Sequence, residues 1–218
     1  DEGATLILHT EEAESWFWYI PMPNDRVSVG VVGEVESLIT SRLGSPSEIF
    51  FEEVEKCPEI KKRLLGSSQS REMNVVRDFS YKAERLSGPG WLLLGDAYSF
   101  IDPVYSSGIL LALKMGELGA DAILDALDAG DPSAERLGRF EGDIAGGMAS
   151  IRSLVHAFYS KDFSFGTFLK RYPDHQGDIV DILVGRVFDR DFDLLFTRMK
   201  EMFEGLELPE TTTVGRGH

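Results

Sequence analysis

The stretch GWLLLGDAYSFIDPVYSSGILLALKMGELGADAIL, residues 90–124, limits what this chain can be more than any other segment of it. It opens with a short apolar run, residues 91–94, that reads as a strand. The strand stops at Gly95, and a carboxylate, Asp96, stands just past its end. A loop then carries Asp102 and Pro103, and Ser106, Ser107 and Gly108 open a long helix entered at Ile109. A strand that delivers a carboxylate to its C-terminal edge, followed by a helix start of small residues, makes a ligand cradle. The carboxylate accepts hydrogen bonds from hydroxyls. The N–H groups and positive dipole end of the helix favour negative charge, by about 0.3–1 kcal/mol when exposed and up to ~2 when partly buried. Small side chains let a flat ligand approach the backbone.

On the helix, Lys114, Glu117, Asp121, Asp125 and Asp128 recur at three- and four-residue steps and form one wet stripe. The other residues from 109 to 127 are Leu, Ile, Ala, Met or Gly. The helix is therefore expected to be buried over most of its circumference, with Gly116, Gly119 and Ala120 allowing close packing. The plainer alternative is a core helix after a core strand, with Asp96 as a turn residue.

Upstream, residues 5–10 read as a strand, and residues 15–33 as a hairpin turned at Pro21, Pro23, Asn24 and Asp25. Alternation puts Trp16, Trp18 and Ile20 on one face of its first strand and Phe17 and Tyr19 on the other. Residues 45–57 read as a helix with Ile49, Phe50, Val54 and Cys57 inward. Pro58 breaks it, and a shorter helix ends at Gly66. The pair is expected to cover one sheet face and to keep its charged residues in water. Two short strands are expected near residues 72–76 and 79–83. Beyond Gly130, apolar residues at 137, 140, 144, 148, 151, 155 and 158 predict one long amphipathic helix. Residues 162–203 read as two or three short helices rich in Phe, forming either a helical core or an apolar lid, and residues 206–218 as a loose tail. The fold class is α+β: a mixed sheet with hairpins and a buried helix after the GD…DP segment, then a helical C-terminal region. The expected division is residues 1–130 and 131–218.

The string GDAYSFIDPVYSSGILLAL resembles the second flavin motif of the FAD-dependent oxidoreductases that include the flavin-dependent halogenases and geranylgeranyl reductases. The resemblance implies FAD as cofactor. It implies that Asp96, beside Gly95, holds the ribityl chain. Asp102, Pro103 and the backbone of Ser106, Ser107, Gly108 and Ile109 would then lie along the isoalloxazine. The hexapeptide of Trp16, Phe17, Trp18, Tyr19, Ile20 and Pro21 resembles the WxWxIP pattern of the halogenases. That likeness places Trp16, Trp18, Ile20 and Pro21 on the substrate side, whereas two Trp on one strand face also suit a core.

The activity implied is conversion of halide to hypohalous acid with FADH2 and O2, then halogenation of a substrate, with the halide on the Ser107 and Gly108 N–H groups. The tryptophan-specific branch carries Glu two residues after the proline. Tyr105 stands there instead, which is similar to the branch acting on phenols, pyrroles or carrier-bound substrates. Tyr105 is either substrate-side or a packing residue. A flavin reductase supplying FADH2 is the implied protein partner. A reductase or hydroxylase of the geranylgeranyl reductase type, or a noncatalytic interaction domain, are the competing readings.

No GxGxxG occurs, and the first residue is not Met, so the chain reads as the C-terminal portion of a flavoprotein without its dinucleotide-binding front end. A formal charge of −15 argues against nucleic acid and anionic membranes as partners. No apolar run approaches the ~20 residues a membrane span needs. No leader is visible, and a cytoplasmic location is expected. One cysteine excludes an internal disulfide, and four scattered histidines give no metal-ligand spacing.

Overall fold

Phe17 sits at the centre of the first of two units in the computed structural model, which describes residues 3–12, 15–77 and 80–209. Strands β1 (Leu6–His9), β2 (Ser15–Met22) and β3 (Arg26–Gly33) form an antiparallel meander in that order. The β2–β3 turn needs two residues at positive φ, and Asn24 (64°) and Asp25 (52°) supply them. Their short polar side chains tolerate this conformation better than other L-residues. Alternation turns Phe17 and Tyr19 to one face with Val29 and Val31 of β3, where they meet two helices.

Those helices are α1 (Pro46–Glu55) and α2 (Pro58–Arg63). The Ser45 side chain accepts from the Glu48 N–H while the Glu48 carboxylate accepts from the Ser45 N–H, a reciprocal cap that fixes where α1 begins. Pro58 occupies the first turn of α2, where its missing N–H costs nothing. Phe50, Val54, Cys57 and Ile60 close over Phe17, whose ring meets Phe50 edge-on at 5.8 Å. Fully burying one such side chain stabilises by about 1.5–3 kcal/mol. The helix pair thus covers one sheet face, as the sequence predicts. Its charged residues depart from expectation at Glu53, which is buried. The expected strand at residues 72–76 is absent: those residues carry no regular structure.

The second unit, Asp78–His218, begins its described portion at Ser80. Of the strand expected at 79–83, only β4 (Tyr81–Lys82) forms, and position 79 lies outside the described residues. Strands β5 (Ser87–Gly88) and β6 (Trp91–Leu92) make a minimal hairpin around Pro89 and Gly90, with Gly90 at φ 77°. The run 91–94 is therefore strand over only its first half, and the Leu93 N–H donates to the Leu86 carbonyl at 2.8 Å. After a 3-10 turn at Gly95–Ala97, β7 (Ser99–Phe100) pairs antiparallel with β4.

Helix α3 (Gly108–Asp128) runs as the sequence predicts, but its burial does not. Only Leu111, Met115, Gly119, Ala122 and Ala126 are buried, a single narrow stripe. Ile109, Leu113, Leu124 and Leu127 are 61–77 % exposed. Of the small residues expected to permit close packing, Gly119 does so: a Cβ there would come within 2.7 Å of Leu94. Gly116 faces open space and Ala120 is exposed.

The single long helix expected after Gly130 is broken. Ser133 caps α4 (Ala134–Leu137), the chain turns, and α5 (Glu141–Tyr159) follows. The break lies at Gly138, where a Cβ would meet the Ser87 hydroxyl at 2.4 Å, and that hydroxyl donates to the Ala134 carbonyl. Periodicity reported one apolar face and could not see that contact. Helices α6 (Phe165–Arg171), α7 (Gln176–Leu183) and α8 (Asp193–Met202) complete the unit. Phe168, Phe192 and Phe196 are buried, and Phe163 packs on Phe165 and Phe203 at 4.8 Å, so the aromatic residues form a helical core. Leu206 of the expected tail is buried, and residues 210–218 lie outside the described residues.

Candidate functional site

Gly95 brings the two halves of the 90–124 stretch together. Its φ is 55°, and a Cβ on it would stand 3.2 Å from the Ala112 Cβ, one turn into α3. Only glycine takes that backbone form while lying against the helix at so little cost. Asp96 follows directly, exposed, and among the described residues its carboxylate takes neither a hydrogen bond nor an ion pair. The turn beneath it is held, because the Tyr81 hydroxyl donates to the Asp96 carbonyl. Tyr81 carried no sequence signal beyond its position before the motif.

The DP segment is a capped 3-10 turn, Pro103–Tyr105. The N–H of Val104 donates to Asp102 Oδ1 at 3.0 Å, and the hydroxyl of Tyr159 donates to Oδ2 at 3.0 Å. Ser106 closes the turn in the left-handed region, φ 54°. Ser107 then precedes α3 without capping it, and the first intrahelical bond runs from the Leu111 N–H to the Ser107 carbonyl. The N–H groups of Gly108, Ile109 and Leu110 are therefore the unpaired donors of a helix start. Among the described residues, the buried Ser107 hydroxyl has no hydrogen-bond partner, and nothing lies within 4 Å of where a Gly108 Cβ would be.

An uncapped helix start, an unpaired buried hydroxyl and open space over a glycine suit a ligand that presents negative charge or hydrogen-bond acceptors. The free carboxylate of Asp96 suits hydroxyl donors on the same ligand. A cavity of about 140 Å³ adjoins, lined by Tyr105, Ser106, Ser107, Leu110, Ile151 and Ile182 among others.

Tyr105 packs as well as lines. Its ring meets Phe158 edge-on at 6.0 Å, and its hydroxyl donates to the Leu154 carbonyl at 3.3 Å. Burial, and then the charge of Asp102, push its phenol above the ordinary tyrosine range. The second open space, about 450 Å³, has Asp102, His156, Tyr159 and Leu206 on its walls. Burial, then the Arg152 charge, hold the His156 imidazole below its usual value.

Trp16, Trp18, Ile20 and Pro21 belong to the first unit, on β2. Trp16 is buried. Trp18 lies flat against Gly30, where a Cβ would fall 2.0 Å from the indole, and its Nε1 donates to the Ser28 hydroxyl at 3.2 Å. Ile20 is 37 % exposed and Pro21 is exposed. Among the described residues, no group of three or more His, Cys, Asp or Glu gathers as a metal site. No described helix is long and apolar enough to cross a membrane.

The tryptophan halogenase family pattern matches residues 9–200. The 1H-pyrrole-2-carbonyl peptidyl-carrier-protein chlorinase of Pseudomonas fluorescens is 28% identical over 88% of this chain and 42% of its own length. The corresponding brominase of Pseudoalteromonas luteoviolacea is 31% identical over 85% of this chain and 45% of its own. Among solved structures, the flavin-dependent brominase Bmp2 superposes with a TM-score of 0.76 at 26% identity, over 91% of this chain and 50% of that one. The myxobacterial chondrochloren halogenase, an FAD-dependent halogenase, gives a TM-score of 0.60 at 26% identity, over 95% and 52%. The chain thus spans less than half the length of these curated relatives.

Proposed function

This chain belongs to the tryptophan halogenase family, and we propose that it forms the flavin-facing and substrate-facing portion of a flavin-dependent halogenase. The observation that carries the reading is the start of α3, an uncapped run of N–H donors beside the unpaired Ser107 hydroxyl, with Gly95 seating the Asp96 turn against the same helix. Asp96 would hold the ribityl hydroxyls of FAD. Asp102 and Pro103 would shape the turn, and the backbone of Ser106, Ser107, Gly108 and Ile109 would face the ring edge. The N–H groups of Ser107 and Gly108 would hold the halide, because backbone donors at a helix start suit an anion.

When bound, reduced FAD with dioxygen supplies the oxidant that turns halide into hypohalous acid. This chain's own residues bind, orient and exclude water. Trp16, Trp18, Ile20 and Pro21 would face the substrate side. Tyr105 in place of a carboxylate leaves the cavity wall without a charge there, which favours a phenol, a pyrrole or a carrier-bound ring over tryptophan. The two pyrrolyl-carrier relatives support the carrier-bound case. A flavin reductase as the source of FADH2 and a cytoplasmic location complete the proposal. The division expected at residue 130 falls inside the second unit, Asp78–His218, where the Ser87 hydroxyl donates to the Ala134 carbonyl.

The test supplies the protein with reduced FAD, dioxygen and bromide, and follows a pyrrolyl-carrier substrate by mass spectrometry. Bromide-dependent addition of one or more bromines is the expected result. Reduction or hydroxylation of the substrate without halide would replace this reading with the geranylgeranyl reductase type.

A further inference from the structure

We propose that Tyr159 is a positioning residue for the turn that aims the start of α3 at its ligand; the proposal rests on the flavin reading given above. The turn from Asp102 to Ser107 is tied to α5 at two points. At its first residue, the Tyr159 hydroxyl donates to Asp102 Oδ2 at 3.0 Å, while Oδ1 of the same carboxylate accepts from the Val104 N–H at 3.0 Å. At its far side, the Tyr105 hydroxyl donates to the Leu154 carbonyl at 3.3 Å. Between the tethers, the Ser106 N–H closes on the Pro103 carbonyl at 2.8 Å, and Ser106 holds a φ of 54°.

A serine keeps the left-handed form when its surroundings over-determine it. Here the surroundings are those two phenols. The orientation of the Ser106 peptide sets the direction of the Ser107, Gly108 and Ile109 N–H groups, so what fixes the turn also fixes the donors.

The tethers differ in depth. Tyr105 is partly buried, with its ring against Phe158. Tyr159 is 42 % exposed on the wall of the 450 Å³ groove. Removing that hydroxyl leaves the ring in place and frees one oxygen of Asp102. The carboxylate can then turn away from Val104, and the loop gains alternatives to the conformation that presents the α3 donors.

The experiment compares Tyr159→Phe with the parent protein and with His156→Gln, a neighbour in the groove that does not bond Asp102. Two quantities are read, amide hydrogen exchange at Val104 to Ile109 and FAD affinity by titration. Tyr159→Phe should speed exchange at Val104 and Ser106 about tenfold and weaken FAD about three- to tenfold, the scale of one hydrogen bond. The melting temperature should stay within a few degrees. His156→Gln should change neither quantity. Unchanged exchange in Tyr159→Phe overturns the proposal, whether or not FAD binds. Faster exchange with unchanged FAD affinity also overturns it, because Tyr159 would then be structural alone. Absence of FAD binding in the full-length flavoprotein would instead refute the flavin reading, and the exchange rates would still decide whether Tyr159 sets the turn.

Discussion

The hydroxyl of Ser15, at the first position of β2, donates to Oε2 of Glu53 on α1 at 2.7 Å. Arg42 and Lys56 both reach Oε1 of the same carboxylate, at 2.5 and 2.6 Å. Glu53 is only 2 % exposed, so this buried charge is compensated on both oxygens and pins the helix to the sheet. Arg42 and Lys56 reach water, so Glu53→Gln costs the charge-assisted hydrogen bonds and should lower the stability of the first unit by about 1.5–3 kcal/mol. The denaturant midpoint measures it, and a loss below ~0.5 kcal/mol would place the network among ordinary surface pairs.

The same carboxylate sets a pH dependence. Burial alone would raise its pKa, but hydrogen bonds from Lys56, Ser15 and Arg42 hold it below the ordinary glutamate value. A carboxyl with a depressed folded pKa contributes stability above its unfolded value, about 4.3. That contribution is lost as the pH falls through the lower folded value. Melting temperature should drop more steeply below pH ~4.3 in the parent protein than in Glu53→Gln. Parallel curves would contradict this.

Trp18 and Gly30 form a second coupled pair. A methyl on Gly30 would collide with a rigid indole at 2.0 Å, so Gly30→Ala should cost about 1–3 kcal/mol and shift tryptophan emission. Trp18→Phe separates structure from function at the same place. If Trp18 serves the substrate side, this variant should lose halide-dependent product at unchanged flavin content. Loss of folding alone would make Trp18 a core residue.

The exposed apolar residues of α3 predict behaviour in solution. Leu124→Lys with Leu127→Lys should leave stability within about 0.5 kcal/mol, because both side chains already face water. Unfolding of the double variant would mean that these leucines are packed.

The elements that follow from local chemistry were legible in the sequence. The β2–β3 hairpin, the capped α1, the proline at the start of α2 and the span of α3 depend on residues adjacent in the chain. What the sequence withheld depends on distant partners. The helix breaks at Gly138, where Ser87 fills the space a Cβ would need and its hydroxyl donates to the Ala134 carbonyl. Glu53 reads as one more charge on a solvated helix until Ser15 and Arg42 arrive. Residues 72–76 alternate like a strand but pair with nothing among the described residues. In the candidate site, the motif pointed to Asp96 and the start of α3. Tyr81 and Tyr159, which hold the two turns from elsewhere in the chain, left no mark that set them apart from packing residues.

The most direct measurement is the FAD dissociation constant of the full-length flavoprotein against that of its Asp96→Ala variant. The Asp96 carboxylate is exposed and takes no partner among the described residues, so the substitution should spare the fold. Loss of a charge-assisted hydrogen bond, ~1.5–3 kcal/mol, should weaken FAD binding about 10- to 150-fold. Equal affinities would remove Asp96 from the flavin site and, with it, the assignment of the α3 start as the cradle.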